Sequence, residues 1–394
     1  MKILLIHNYY RNLGGEETYI NNLQKLLTEK SHKIVKFEKN NREINTFFKK
    51  IKTSLELFYS KSMEKELKLL IEKEKPDLAH IFNIFPLITP TVYFLCKKYN
   101  IPIIQRISSY KYLCPKGNFF RKNDLCFQCL DKKFKYPSII YGCYANSRIA
   151  SFFFSSAFYF HKEVIKNFDL VDFFYFPTHF VRNFYIQYAN IEPKKTAVIP
   201  TFTMIDFKTD SNILNSNKKL IKIKNKYFLF VGRLTEEKGI VKLIQAFKYF
   251  KDQKLIIIGE GALENFVKKE SSINNNIIYL SHQPREVVLN YIKYCKALII
   301  PSICYDVLPN VFLEGLFLNK PIILSDIPSL SFIKSGKGII KFKSNDVFSL
   351  KKSIIKIIKD KLDAKELRVV YKDIKNEFSA QNHYQRLISL YKEL

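Results

Sequence analysis

The sequence predicts an α/β protein of two doubly wound, Rossmann-like domains facing each other across a cleft. Three observations lead there. Strand-like and helix-like stretches alternate along both halves of the chain. The alternation is interrupted once, by a polar, Asn- and Lys-rich stretch. A length of 394 residues suits two domains better than one.

In the first half, Lys2–His7 has the continuous apolar character of a buried strand. Glu17–Glu29 follows with Ile20, Leu23, Leu26 and Leu27 at helical spacing, and His32–Phe37 is the next strand. Asp77–Phe82, Ile101–Ile107 and Phe173–Phe176 are further strands, with helices over Thr91–Tyr99 and from His179. These elements define a domain over residues 1–205, with a Cys-bearing insertion at 112–145. Residues 206–226 are the linker. In the second half, strands are expected at Tyr227–Val231, Lys254–Ile258, Ile277–Leu280, Ala297–Ile300 and Pro321–Leu324. Helices are expected at Ile240–Phe250, Ala262–Glu270, Arg285–Tyr294 and Asn310–Leu318, giving a second domain over 227–377.

Ligands of such sheets bind outside the carboxyl ends of the strands, and four features fall there. Gly14 and Gly15 follow the first strand and precede a helix, where the backbone can approach an anion. Val231–Gly239 brings Arg233 and Lys238, an arginine fork and a lysine point charge suited to a diphosphate, though two solvated surface cations would look the same. Gly259 and Gly261 make another close-approach turn. In Pro301–Gly315, Pro309 opens a helix that is apolar all round except for Glu314, with Asp306 in the preceding loop and Asn310 and Val311 at the helix start. A carboxylate inside a buried helix needs donors. Sugar hydroxyls are such donors, and a core salt bridge is the alternative.

These pieces together resemble glycosyltransferase family 4, the retaining group 1 enzymes of the GT-B fold. The matching segments are Gly14–Glu17, His80–Pro86, Val231–Gly239, Gly259–Gly261 and the acidic pair Asp306 and Glu314. The resemblance implies that Arg233 and Lys238 grip the donor diphosphate, with Gly14 and Gly15 near it. It implies that Glu314 holds the ribose and Asp306 touches the transferred sugar. It further implies that residues 378–394 form a helix returning to the first domain. Two departures stand out. The first acid is Asp306 where the family usually has Glu, and Ser108 stands where a histidine is expected. A serine can hydrogen-bond a sugar but cannot carry a histidine's charge or proton.

Cys114, Cys126, Cys129 and Cys143 have a spacing that suits a structural zinc, with reduced buried thiols as the alternative. No cofactor is expected for catalysis beyond the nucleoside-diphosphate sugar donor. Seven cysteines and no apolar leader point to a reducing, cytoplasmic setting. The formal net charge is +29, but the lysines are spread along the chain, which argues against nucleic acid. An anionic membrane is the better electrostatic partner. Lys49, Lys50, Lys52 and Lys61 lie among Phe47, Phe48, Leu55, Leu57 and Phe58, which suits either a lipid-bound amphipathic helix or a surface helix packed on the core. The expected activity is sugar transfer to a glycan or lipid-linked acceptor. A nucleotide-sugar epimerase of the same fold and a non-catalytic partner subunit are the rivals.

Overall fold

The computed structural model describes residues 1–11, 14–205, 226–360 and 362–394. The expected linker therefore lies outside the described residues except for Lys226. The chain divides into two compact units. One comprises Met1–Phe119, Cys126–Thr201 and Ala380–Leu394, and the other Phe120–Leu125 and Phe202–Ser379.

The first unit opens with strand β1 (Lys2–Tyr9), helix α1 (Gly15–Glu29), strand β2 (Lys33–Asn40) and helices α2 (Phe47–Glu56) and α3 (Lys61–Glu74). It continues through β3 (Leu78–Ile81), α4 (Thr91–Lys98) and β4 (Ile103–Arg106). The short hairpin β5 (Phe120–Arg121) and β6 (Asp124–Leu125) belongs to the second unit. Back in the first unit come α5 (Tyr136–Ile140), α6 (Arg148–Tyr159), β7 (Phe173–Phe176), α7 (His179–Ala189) and β8 (Thr196–Val198). The six strands run parallel in the order β2-β1-β3-β4-β7-β8. Chain order reverses next to β1, which makes its carboxyl end a switch point of the kind that hosts ligands.

The second unit holds β9 (Tyr227–Val231), α8 (Ile240–Phe247), β10 (Lys254–Ile258), α9 (Glu264–Ile273), β11 (Ile277–Leu280), α10 (Arg285–Tyr294), β12 (Ala297–Ile300) and α11 (Asn310–Phe317). Strands β13 (Ile322–Asp326) and β14 (Ile339–Lys343) and helices α12 (Val347–Lys359), α13 (Ala364–Val370) and α14 (Lys372–Glu377) complete it. Its parallel sheet runs β11-β10-β9-β12-β13-β14. Alternate residues of β9 and β10 enter separate apolar clusters on the two faces of the sheet. Leu229 and Ile256 lie on one side, Phe228, Phe230 and Ile257 on the other. Burial on both faces explains why these strands read as continuous apolar runs. Strand β14 and helix α12 extend the alternation beyond Pro321–Leu324, the last strand expected in the second domain.

The last helix, α15 (Ala380–Lys392), packs within the first unit. A chain of polar groups ties it to the sheet. His383 Nδ1 lies 2.7 Å from the Pro200 carbonyl, which can only accept, so His383 donates there. Its Nε2 then accepts from Tyr19 (3.0 Å), and Tyr19 accepts from Tyr175 (2.8 Å). Tyr175 accepts from His80 Nε2 (2.9 Å), leaving His80 Nδ1 to accept from Tyr391 (2.6 Å). Burial lowers both imidazoles, His383 to about 3 and His80 well below the usual range, so both are neutral. His80 is thus a satisfied core histidine. His7 is buried as well, and burial lowers it too.

Candidate donor site and sheet-edge pocket

In the second unit, three loops after β9, β10 and β12 press their backbones together. Gly239, at φ +72°, stands where an added Cβ would lie 1.9 Å from the Pro301 carbonyl oxygen. Gly261, at φ +158°, would place one 2.5 Å from the Leu234 oxygen. Only glycine permits these approaches. The Ile303 amide donates to the Glu237 carbonyl at 2.8 Å, the Leu234 amide to Glu260 at 2.9 Å and the Leu263 amide to Leu234 at 2.9 Å. Phe120 of the β5–β6 hairpin packs with Ile303 and Cys304 on the same loop.

This scaffold fixes Lys238 against Asp306. The ammonium lies 2.5 and 2.8 Å from the two carboxylate oxygens, and Ser302 Oγ donates to Asp306 at 2.5 Å. Burial alone would raise the Asp306 carboxyl, but Lys238, then Ser302, outweigh it and hold it below its usual range. The converse holds for Lys238, where burial opposes charging and Asp306 overcomes it, so its pKa is raised. Both groups are charged at neutral pH. Arg233 is mostly exposed and meets Glu237 at 3.7 Å.

Glu314 lies on α11, buried among Phe312, Leu313 and Leu316. Arg285 Nη2, from the first residue of α10, approaches it at 3.4 Å and also reaches Thr203 Oγ1 at 3.4 Å. Burial raises the Glu314 carboxyl and Arg285 partly offsets this. A salt bridge thus supplies the partner that a buried carboxylate requires. Asn310 and Val311 form the first turn of α11.

In the first unit, the helix begins earlier than the sequence suggests. Gly15 is its first residue and Gly14 its N-cap, because the Gly14 amide donates to Glu17 Oε2 at 2.7 Å. A Cβ at Gly14 would meet nothing nearer than that oxygen, at 3.6 Å. Beyond the carboxyl ends of β3 and β4, a pocket with about 280 Å³ of empty space, part of it open to solvent, is lined by Glu16, Asn83, Arg106, Ser108, Lys111 and neighbours. Ser108 Oγ donates to Glu16 Oε1 at 2.7 Å. Lys111 lies over the Tyr10 ring at 4.4 Å, with its ammonium 3.2 Å from the Tyr10 hydroxyl and 3.4 Å from Asn83 Oδ1. Burial lowers it to about 8, against the pull of Glu16 and Glu17.

Sequence reasoning missed Lys111, Arg285 and Ser302 as site residues. Lys111 had a signal: it closes the segment after β4 that also carries Ser108. Arg285 had none beyond its place at a helix start.

Among the described residues no group of three or more His, Cys, Asp or Glu side chains is placed to hold a metal ion. Cys114 and Cys129 are buried, and Cys126 and Cys143 partly so. Lys135 donates to the Cys129 carbonyl at 2.9 Å, which brings a buried ammonium beside the Cys129 and Cys114 thiols. Burial, then the neighbouring thiols, push Cys129 up to about 12.

Solved structures share this architecture along the whole chain. The Anabaena protein HepE in complex with UDP superposes with a TM-score of 0.67 at 14% identity, covering 100% of both chains. Sucrose-phosphate synthase from Thermosynechococcus elongatus gives 0.70 at 14% identity, covering 100% of this chain and 98% of that one. The fold is the GT-B fold of glycosyltransferases. Residues 212–376 match the profile of the family "Glycosyl transferases group 1". By sequence it is 31% identical over 141 residues to an uncharacterized glycosyltransferase of Methanocaldococcus jannaschii, covering 34% of each chain. It is also 27% identical over 198 residues to the N-acetylgalactosamine-N,N'-diacetylbacillosaminyl-diphospho-undecaprenol 4-alpha-N-acetylgalactosaminyltransferase of Campylobacter jejuni, covering 48% of this chain and 50% of the relative. These matches span about a third to a half of the relatives' own lengths.

Proposed function

We propose that this chain moves a sugar from a nucleoside-diphosphate sugar to a glycan or lipid-linked acceptor, with retention of anomeric configuration. Its setting is bacterial cell-surface polysaccharide synthesis at the cytoplasmic face of a membrane. The observation that carries the reading is the buried Lys238–Asp306 pair, held beside the Glu314 helix at the carboxyl edge of the second sheet, inside the segment that matches the group 1 profile. The UDP in the HepE structure and the diphospho-undecaprenol-linked substrate named for the Campylobacter relative support the donor and acceptor classes.

In this reading the bond from the anomeric carbon to the phosphate oxygen breaks, and the diphosphate leaves with the electron pair. Lys238, Arg233 and the N–H groups at Asn310 and Val311 stabilise the charge that gathers on it. The acceptor hydroxyl oxygen bonds to the anomeric carbon, and its proton leaves with the diphosphate. Glu314 accepts from the ribose hydroxyls, with Arg285 keeping it ionised and aimed. Asp306 sets the position of Lys238 and faces the transferred sugar. Gly14 and Gly15 serve the donor diphosphate, and Ser108 serves the transferred sugar. Lys111 supplies there the positive charge that Ser108 cannot.

The test is nucleotide release from a panel of UDP- and GDP-sugars, with and without acceptor glycolipid. Release that depends on acceptor supports transfer. Release without acceptor, or donor binding with no turnover across the panel, overturns it.

A further inference from the structure

Helix α2 reverses the usual arrangement of an amphipathic helix. Residues advance about 100° per position around a helix, so Phe47, Phe48, Ile51 and Leu55 share one stripe. That stripe faces solvent: Phe47 is 72% exposed, Phe48 82% and Leu55 59%. The side turned to the protein holds Thr53, followed by Leu57 just past the helix end, both buried. The exposed lysines Lys50 and Lys52 fall on opposite flanks of the apolar stripe, with Lys49 beside Lys52.

The neighbouring helix also turns apolar residues to solvent. His161, just past α6, donates from Nε2 to the Leu57 carbonyl at 3.0 Å, and the Phe58 and Phe160 rings meet at 5.8 Å, so the two helices are joined. On α6, Ser151, Phe154, Ser155 and Phe158 face inward, while Ile149 (73% exposed) and Phe152 face solvent beside the exposed Arg148. Exposed phenylalanines on adjacent helices, rimmed by cations on a chain of formal charge +29, are complementary to one surface: an apolar layer edged with anionic headgroups.

We infer that α2 and α6 form a docking surface for an anionic lipid bilayer, with Phe47 and Phe48 entering the interface and Lys49, Lys50 and Lys52 meeting the headgroups. This names the surface by which the proposed enzyme would reach a membrane. The inference stands on exposure and charge in the first unit and not on the donor site.

The experiment is vesicle co-sedimentation of the full chain without donor or acceptor. The expected result is binding to phosphatidylcholine vesicles containing phosphatidylglycerol, much weaker binding to phosphatidylcholine alone, and release by salt. The double variant Phe47→Ser/Phe48→Ser should lose roughly tenfold or more in partitioning, since each ring gives up apolar burial in the interface. Its melting temperature should not change, because neither ring is packed in the protein. Lys49→Gln/Lys50→Gln/Lys52→Gln should lose the preference for phosphatidylglycerol. Equal binding to both vesicle types, no binding, or undiminished binding by the Phe variant overturns the inference. So does a vesicle-free dimer that the Phe variant converts to monomer, which would make a second copy the occupant. UDP affinity measured on the same preparations reports separately on the donor site.

Discussion

Lys238 and Asp306 form a two-oxygen ion pair, 2.5 and 2.8 Å from nitrogen to oxygen, across 68 residues of sequence. The pair is mostly buried, so each charge depends on the other. Lys238→Met should therefore do two things: weaken UDP binding about tenfold or more, and destabilise the protein by roughly 3–5 kcal/mol by leaving Asp306 unpaired. Lys238→Met/Asp306→Asn separates them. It should recover most of the stability and none of the binding, as read by melting and by calorimetry. Arg233→Ala should cost less affinity than Lys238→Met, because Arg233 is largely solvated.

The pair also sets a pH dependence. Asp306 titrates below its unfolded value in the folded protein. Its stabilisation is then fully present above the unfolded carboxyl pKa of about 4 and disappears as pH falls through the lower, folded value. Asp306→Asn lacks this contribution. Unfolding curves of wild type and variant should be well separated at pH 7 and converge in acid, and a constant gap would count against the pair. Asp306→Glu adds a methylene in a loop already in contact with Lys238 and Ser302, and should lower turnover or shift donor preference in steady-state kinetics.

Arg285→Ala should raise the apparent KM for donor with little change in kcat, because Glu314 is then more readily protonated and loses its aim. Glu314→Gln should do the same, and the double variant should be no worse than either single one. Additive losses in the double-mutant cycle would separate the two residues.

Lys111 is charged below about pH 8 and neutral above it. If its ammonium serves the pocket beside Ser108, kcat/KM should fall as pH rises through about 8. Lys111→Arg should carry activity further into the alkaline range, and Lys111→Met should flatten that limb. An unchanged profile in Lys111→Met would remove it from the reaction.

The thiols make the fifth test. Native protein should react quickly at Cys126 and Cys143, the two partly exposed cysteines, and slowly at the five buried ones until denaturant is added. One equivalent of zinc protecting Cys114, Cys126, Cys129 and Cys143 together would support the metal assignment.

The sheets were legible because parallel strands buried on both faces read as unbroken apolar runs, as in Leu255–Ile258. The loops after β9, β10 and β12 were legible because Gly239 and Gly261 occupy backbone positions no other residue fills. Pairings were not. Nothing local to Arg285 announces Glu314, and Lys238 and Asp306 each looked like an independent ligand. The stripe on α2 has a periodicity that serves a core-facing or an outward-facing helix equally, and only the burial of Thr53 and Leu57 decides which. The cysteine spacing carried no sign of the Lys135 ammonium that the fold brings beside the Cys129 and Cys114 thiols.

The first unit is discontinuous in sequence, and this orders its synthesis. Its sheet is complete once Val198 has been made, yet His80 hydrogen-bonds to Tyr391 and Tyr19 to His383, both near the far end of the chain. A nascent chain leaving the ribosome must carry that sheet without these two buried contacts while the entire second unit is translated. Fragments ending near residue 201 should therefore be held by chaperones or aggregate. A peptide spanning residues 380–394, added in trans, is the piece that would close them.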